Sequence, residues 1–249
     1  MSIEGEREKI TRTALTLGRL ARRIAPFLAG GLCLACLARD SVEFPSIELY
    51  SVRIIHLEDT PLRRMASTGN AGIFIGNGLV LTAAHVARGS QSADGLRVQA
   101  AGRLIAASIV KIGSFEKIDA ALLAIAPDSL PPPMRSLPPL RLCDQPPVPG
   151  TEVLVAEPGN VSSSVVVGPD ILPKDVPGRF NTLIRDVDST GNSGAALFDK
   201  RLGCLMGIMS ARIDSTSTNA LGQRVSTPIA KYFVPAVKIS SFLDLPSDR

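Results

Sequence analysis

Apolar positions along the chain fall into short runs separated by Gly, Asn and Ser. Val, Ile and Leu dominate these runs, and their length and spacing predict strands. In the first half the predicted strands are 50–57, 72–75, 79–82, 96–100, 104–112 and 120–125, with no long helical period among them. A second set is predicted at 152–156, 163–168, 182–185, 195–198, 204–210 and 232–234, followed by a short helix near 237–243. Between the two sets, nine of the 19 prolines lie from Pro127 to Pro149. Proline removes a ladder donor and fixes φ, so this stretch is no central strand and reads as a stiff connector. Six strands, a connector and six strands predict an all-β fold of two packed six-stranded barrels with a short C-terminal helix. The expected bounds are about 45–126 for the first barrel, 127–149 for the connector and about 150–249 for the second barrel.

The N-terminal region follows a different pattern. Arg19, Arg22 and Arg23 precede a mostly apolar run from Ile24 to Ala38, which stops at Arg39 and Asp40. Fifteen residues holding Pro26, Gly30 and Gly31 are short for a membrane-crossing helix and suit the apolar centre of a secretory signal. Residues 1–38 are therefore expected to be a signal peptide or, because the region before the run is long, an uncleaved membrane anchor. Either one implies export, to the periplasm or the medium, with membrane association through this segment in the anchored case.

Charge then narrows the class of partner. The net charge is +4, and residues 1–38 carry six basic side chains against three acidic ones, so the remainder is close to neutral. With 4% aromatic residues and no basic stripe, the pattern of a nucleic-acid binder is missing. Two histidines and four cysteines form no His/Cys cluster, so no metal site and no cofactor are expected. Cys33 and Cys36 lie in the export segment and read as a coincidental C-x-x-C. As a lipoprotein acylation site, Cys36 would have Cys33 where an aliphatic residue is usual. Cys143 and Cys204 are free to pair in an oxidising compartment, but spacing alone does not bring them together.

Three stretches carry candidate chemistry. Asn77-Gly78 is a strong hairpin turn, and the strand after it runs into Thr82-Ala83-Ala84-His85. Small alanines allow close backbone packing and place an imidazole, the side chain suited to proton transfer near neutral pH, just past a buried strand. In Gly191-Asn192-Ser193-Gly194 a serine stands on a tight turn between glycines, which exposes its hydroxyl. That turn can also aim the N–H groups of Gly191 and Ser193 at one point. In Lys117-Ile118-Asp119-Ala120-Ala121-Leu122-Leu123 a single acid heads an apolar run, so its carboxylate is carried to the edge of the core. Asp94, Asp128 and Asp144 sit in polar or proline-rich loops and are weaker alternatives. Taken one at a time, each stretch also has an ordinary reading: a semi-buried histidine, an Asn-Ser-Gly turn, a strand-end acid.

The order His85, Asp119, Ser193 weighs against those ordinary readings. Thr82-Ala83-Ala84-His85, Asp119-Ala120-Ala121-Leu122-Leu123 and Gly191-Asn192-Ser193-Gly194 resemble the TAAH, DIALL and GDSG/GNSG signatures of trypsin/chymotrypsin-like serine proteases, over roughly Tyr50 to Leu243. Within that class the chain looks similar to bacterial Deg-type (high-temperature-requirement) protease domains, with Phe233-Val234-Pro235 as the last-strand motif and no room after Leu243 for a PDZ domain. Ala195 departs from the usual second glycine, and Ser189-Thr190 from the usual Asn-Pro. The resemblance implies the chymotrypsin-type double barrel and a serine endopeptidase acting on polypeptide substrates. It gives His85, Asp119 and Ser193 as the triad and Gly191 and Ser193 as the oxyanion hole. Ser210, in Gly207-Ile208-Met209-Ser210, takes the place of the stretch that pairs with substrate and is a candidate partner for Asp119. Val187, six residues before Ser193, falls at the pocket base and favours small or medium apolar P1 side chains; Asp188 beside it keeps a basic preference open. The alternative reading is a protease-fold peptide-binding module that does not cleave, supported by the extra methyl of Ala195.

His56 lies in an apolar strand with no motif around it and reads as structural. Asn160-Val161-Ser162 fits a glycosylation sequon, which matters only in a eukaryotic secretory pathway. The acid that in GDSG zymogens pairs with a freed amino terminus is replaced here by Asn192. Arg53-Ile54-Ile55-His56 is the nearest approach to an activation site and lacks its glycines. The expectation is an amide that holds the oxyanion loop by local hydrogen bonds.

Overall fold

The computed structural model describes residues 47–57, 65–66, 70–89, 95–174, 176–179, 181–185 and 191–243. Residues 1–38, read from the sequence as a signal peptide or anchor and holding Cys33 and Cys36, lie outside the described residues, as do Asp94, Val187 and Asp188.

The first barrel is built from β1 (Ser51–Leu57), β3 (Ala71–Gly76), β4 (Leu79–Thr82), β5 (Leu96–Ala100), β6 (Arg103–Ser114) and β7 (Ile118–Ile125). Its antiparallel order is β1-β3-β4-β7-β6-β5, and β1 closes the ring by pairing Arg53–His56 with Leu96–Gln99. A short extra strand, β2 (Met65–Ala66), pairs with the end of β1. The turn between β3 and β4 has Asn77 at φ 53° and Gly78 at φ 73°, the left-handed pair a two-residue hairpin needs. Alternation sets the core: in β5 Leu96, Val98 and Ala100 point inward and Arg97 and Gln99 do not.

The second barrel closes in the order β10-β13-β12-β11-β8-β9, from β8 (Glu152–Glu157), β9 (Asn160–Val167), β10 (Leu183–Arg185), β11 (Ala196–Asp199), β12 (Leu205–Thr218) and β13 (Arg224–Pro235). The chain thus has the chymotrypsin-like fold of two closed six-stranded barrels. Val153, Val155, Leu197, Met206 and Phe233 fill the second interior. Burying each such side chain is worth about 1.5–3 kcal/mol.

Three features differ from the strand pattern read in the sequence. β12 and β13 run far beyond 204–210 and 232–234 and form a ribbon paired from Gly207↔Pro235 to Thr218↔Arg224. Its outer part is Ser- and Thr-rich, so it carries no apolar alternation to mark it as strand. The connector contains a helical turn, α2 (Pro132–Arg135), with proline at its start, where the missing N–H costs nothing. β9 begins at Asn160, so the sequon opens a strand rather than preceding one.

The connector is fastened to both barrels. Leu140 N–H donates to Ile75 O, and the Tyr50 hydroxyl donates to Pro138 O at 3.0 Å. Past that point Cys143 N–H donates to Leu205 O, and Cys143 forms a disulfide with Cys204. The closing helix α3 (Ala236–Leu243) packs on β7, β12 and β13, with the Lys111 ammonium of β6 5.2 Å from the centre of the Phe242 ring.

Candidate active site

His85 stands in a one-turn helix, α1 (Ala84–Ala87), directly after β4. The residue before that helix is Ala83, which has no side chain to cap the turn's orphan N–H groups. Asp119, the second residue of β7, supplies the missing acceptor: its Oδ1 takes the backbone N–H of His85 at 2.9 Å. Its other oxygen, Oδ2, lies 2.7 Å from His85 Nδ1. One carboxylate therefore fixes both the backbone and the ring of the histidine.

A second donor reaches the same oxygen from the other barrel. The hydroxyl of Ser210, on β12, donates to Asp119 Oδ2 at 2.6 Å. The Asp119 side chain is 1% exposed, whereas that of His85 is 40% exposed. Burial pushes the Asp119 carboxyl up, but the hydrogen bonds from the His85 ring, the Ser210 hydroxyl and the His85 N–H outweigh it and hold the carboxyl below its ordinary value. An ionised Asp119 keeps the proton on Nδ1 and leaves Nε2 as the basic nitrogen. The same charge, after the effect of burial, helps push the Tyr232 phenol up.

Ser193 completes the chain of contacts. Its hydroxyl donates to the carbonyl oxygen of Ser210 at 3.2 Å, so Ser193, Ser210, Asp119 and His85 are linked in sequence by hydrogen bonds. The turn carrying Ser193 is held at the seam of the barrels: Ala71 N–H, at the start of β3, donates to Ser193 O at 2.9 Å. Gly194 has φ 84°, and a Cβ there would run into Ala71 O and the Thr82 hydroxyl. That hydroxyl is itself committed to Ala71 O at 2.6 Å. Glycine at 194 is required twice, by dihedral and by space.

On the other side of Ser193, Gly191 has φ 78°, and a Cβ there would lie 2.9 Å from the Ala195 methyl. Ala195 is fully buried in the second-barrel core with Val155, so its methyl faces the core. Among the described residues the N–H groups of Gly191 and Ser193 have no acceptor, while the Asn192 N–H between them is taken by Glu157 Oε2 at 3.1 Å. Two free donors, one of them the serine's own N–H, on a turn shaped by left-handed glycines suit a developing oxyanion.

Several neighbours of this site stand in no sequence motif. The Phe115 and His85 rings meet in a T-shaped contact with centres 6.3 Å apart, and the Arg179 guanidinium lies over the Phe115 ring, 5.1 Å from its centre. Glu157 and Lys231 contact the Gly191–Ser193 turn itself, and no motif marks either one. His56 is buried, and its Nε2–H donates to Val86 O at 2.7 Å, steadying the turn that carries His85. Among the described residues no group of His, Cys, Asp and Glu is placed to hold a metal ion, and no helix is long and apolar enough to cross a membrane.

Comparison with known proteins agrees with this architecture. The model of the trypsin-like peptidase domain matches residues 70–208. No curated protein sequence matches the chain. Among solved structures, the active form of the Rv3671c protease from M. tuberculosis is 22% identical, with a TM-score of 0.52 over 84% of this chain and 87% of that one. Kallikrein-related peptidase 10 is 19% identical, with a TM-score of 0.56 over 80% of this chain and 95% of that one. At these identities the likeness is one of fold. The family match spans more than half of the chain, from the start of the β3–β4 hairpin to the beginning of β12, and the chain belongs to the trypsin-like peptidase family.

Proposed function

We propose that this chain is a serine endopeptidase that works through an acyl-enzyme, with His85, Asp119 and Ser193 as its triad. The observation that carries the reading is the hydrogen-bonded run from Ser193 through Ser210 and Asp119 to His85, assembled from both barrels. As substrate binds, the Ser193 hydroxyl exchanges its Ser210 acceptor for Nε2 of His85. Its oxygen then attacks the scissile carbonyl carbon, and its proton passes to Nε2. Asp119 supports the resulting imidazolium, and the N–H groups of Gly191 and Ser193 receive the carbonyl oxygen as it becomes an oxyanion. The imidazolium returns the proton to the leaving amine as the C–N bond breaks. Water repeats the sequence to release the acid and restore Ser193.

Ala195, the feature behind a non-cleaving alternative, has its methyl buried in the core beneath Gly191, a placement compatible with this scheme. The test is labelling with a fluorophosphonate. Purified protein is expected to label at Ser193 and to cleave casein, with both lost in Ser193→Ala. Labelling at another residue, or cleavage retained by the alanine variant, would sink the proposal.

We also propose that the protein works outside the cytoplasm, delivered by residues 1–38. The Cys143–Cys204 disulfide supports this, since such bonds persist mainly in oxidising compartments. Residues 1–38 fused to a reporter active only after export should give signal in a bacterial host; a silent, cytoplasmic fusion would remove the proposal.

A further inference from the structure

The peptide group joining Gly191 to Asn192 is held at both ends by opposite charges. Its N–H, on Asn192, donates to Glu157 Oε2 at 3.1 Å, and its C=O, on Gly191, accepts from the Lys231 ammonium at 3.1 Å. Glu157 ends β8 and Lys231 lies in β13, strands that are not neighbours in the barrel. The same Oε2 also takes the Asn192 side-chain amide at 3.1 Å, and Asn160 Nδ2 donates to Oε1 at 3.4 Å from across the β8–β9 hairpin. An anion at the N–H end and a cation at the C=O end both favour one orientation of the peptide dipole. Rotating that peptide by half a turn would aim its carbonyl at the carboxylate and its N–H at the ammonium.

This peptide lies between the two free donors, Gly191 N–H and Ser193 N–H. Its plane and the φ of Gly191 together set where the Gly191 donor points, and its Asn192 end sets where the Ser193 donor begins. We infer that Glu157 and Lys231 are positioning residues that lock the oxyanion loop in its working shape through the Gly191–Asn192 peptide dipole. The inference rests on the serine-protease reading of Ser193. It names a built-in device where GDSG zymogens depend on a freed terminus.

The experiment compares the full chain with Glu157→Gln, Glu157→Ala, Lys231→Met and the charge exchange Glu157→Lys/Lys231→Glu. Readouts are kcat and KM on a peptide ester, the fluorophosphonate labelling rate, and amide exchange across 191–198. Glu157→Ala and Lys231→Met are expected to lower kcat and labelling by about 10- to 100-fold with KM within about threefold. Glu157→Gln, which keeps an acceptor without charge, should fall between Glu157→Ala and wild type. The charge exchange should be worse than either single change, because it favours the reversed peptide. Recovery toward wild type in the exchange would mean that the two side chains matter only as a mutual ion pair, and would overturn the inference. So would kinetics within threefold of wild type in both single variants, or a loss confined to KM. If wild type itself does not label, the protease reading fails, and exchange alone decides: Asn192 must exchange faster in Glu157→Ala, and unchanged exchange overturns the inference.

Discussion

The Ser210 hydroxyl donates to Asp119 Oδ2 at 2.6 Å, across 91 residues of sequence and from one barrel to the other. Its backbone carbonyl meanwhile accepts from the Ser193 hydroxyl. One residue thus touches both the acid and the serine, by side chain and main chain separately. Ser210→Ala keeps the carbonyl and deletes the donor to a buried carboxylate. Hydrogen bonds to charged groups contribute about 1.5–3 kcal/mol. Stability should fall by about that much in chemical denaturation, and kcat by roughly tenfold with little change in KM. Ser210→Thr, which restores a hydroxyl, should recover part of both; equal behaviour of the two variants would count against the role.

Acid sensitivity follows from the same carboxylate. Asp119 titrates lower in the folded protein than the ordinary value of about 3.9 in an unfolded chain, so the native state binds fewer protons in that range. Its contribution to stability is complete above about pH 5, falls as pH drops through the unfolded value, and is lost below the lower, folded one. Thermal midpoints measured from pH 6 down to pH 3 should therefore drop more steeply for wild type than for Asp119→Asn. At neutral pH Asp119→Asn should lose about 10³- to 10⁴-fold in kcat, because the imidazole loses its preferred tautomer. Parallel acid limbs for the two proteins would show that Asp119 is not depressed.

Two glycines with nearly the same dihedral separate strain from crowding. Gly194 (φ 84°) would place a Cβ against the backbone of Ala71, whereas Gly222 (φ 76°), in the turn of the β12–β13 ribbon, has nothing within 4 Å. Gly222→Ala should cost about 1–2 kcal/mol, the penalty of the left-handed conformation alone. Gly194→Ala adds a backbone collision at the barrel seam and should cost at least twice as much, with Ser193 labelling lost. Urea denaturation of both variants reads the difference, and equal costs would contradict the crowding at Ala71.

His85, Asp119 and Ser193 were readable because each stands in a local motif whose neighbours must be small: Ala83 and Ala84, Ala120 and Ala121, Gly191 and Gly194. The barrels were readable from apolar runs that the β-fold buries. Glu157 was not. It precedes Pro158-Gly159 and resembles any acid at a strand end, and its partner Asn192 lies 35 residues away. The outer ribbon was hidden for a related reason. From Asp214 to Thr218 it is held by ladder pairing and by contacts such as Asp214 with Arg212 and Ser226, none of which leaves an apolar period.

The Cys143–Cys204 bond spans 61 residues and encloses β8 to β11 in a single covalent loop. Glu157, Gly191, Asn192 and Ser193 all lie on it. A backbone cut anywhere between these cysteines opens the loop without releasing a fragment: the piece bearing the histidine and aspartate stays tethered to the piece ending the chain. Such a nicked molecule keeps its full mass until it is reduced. Damage within the segment that carries Ser193 is thereby separated from loss of that segment.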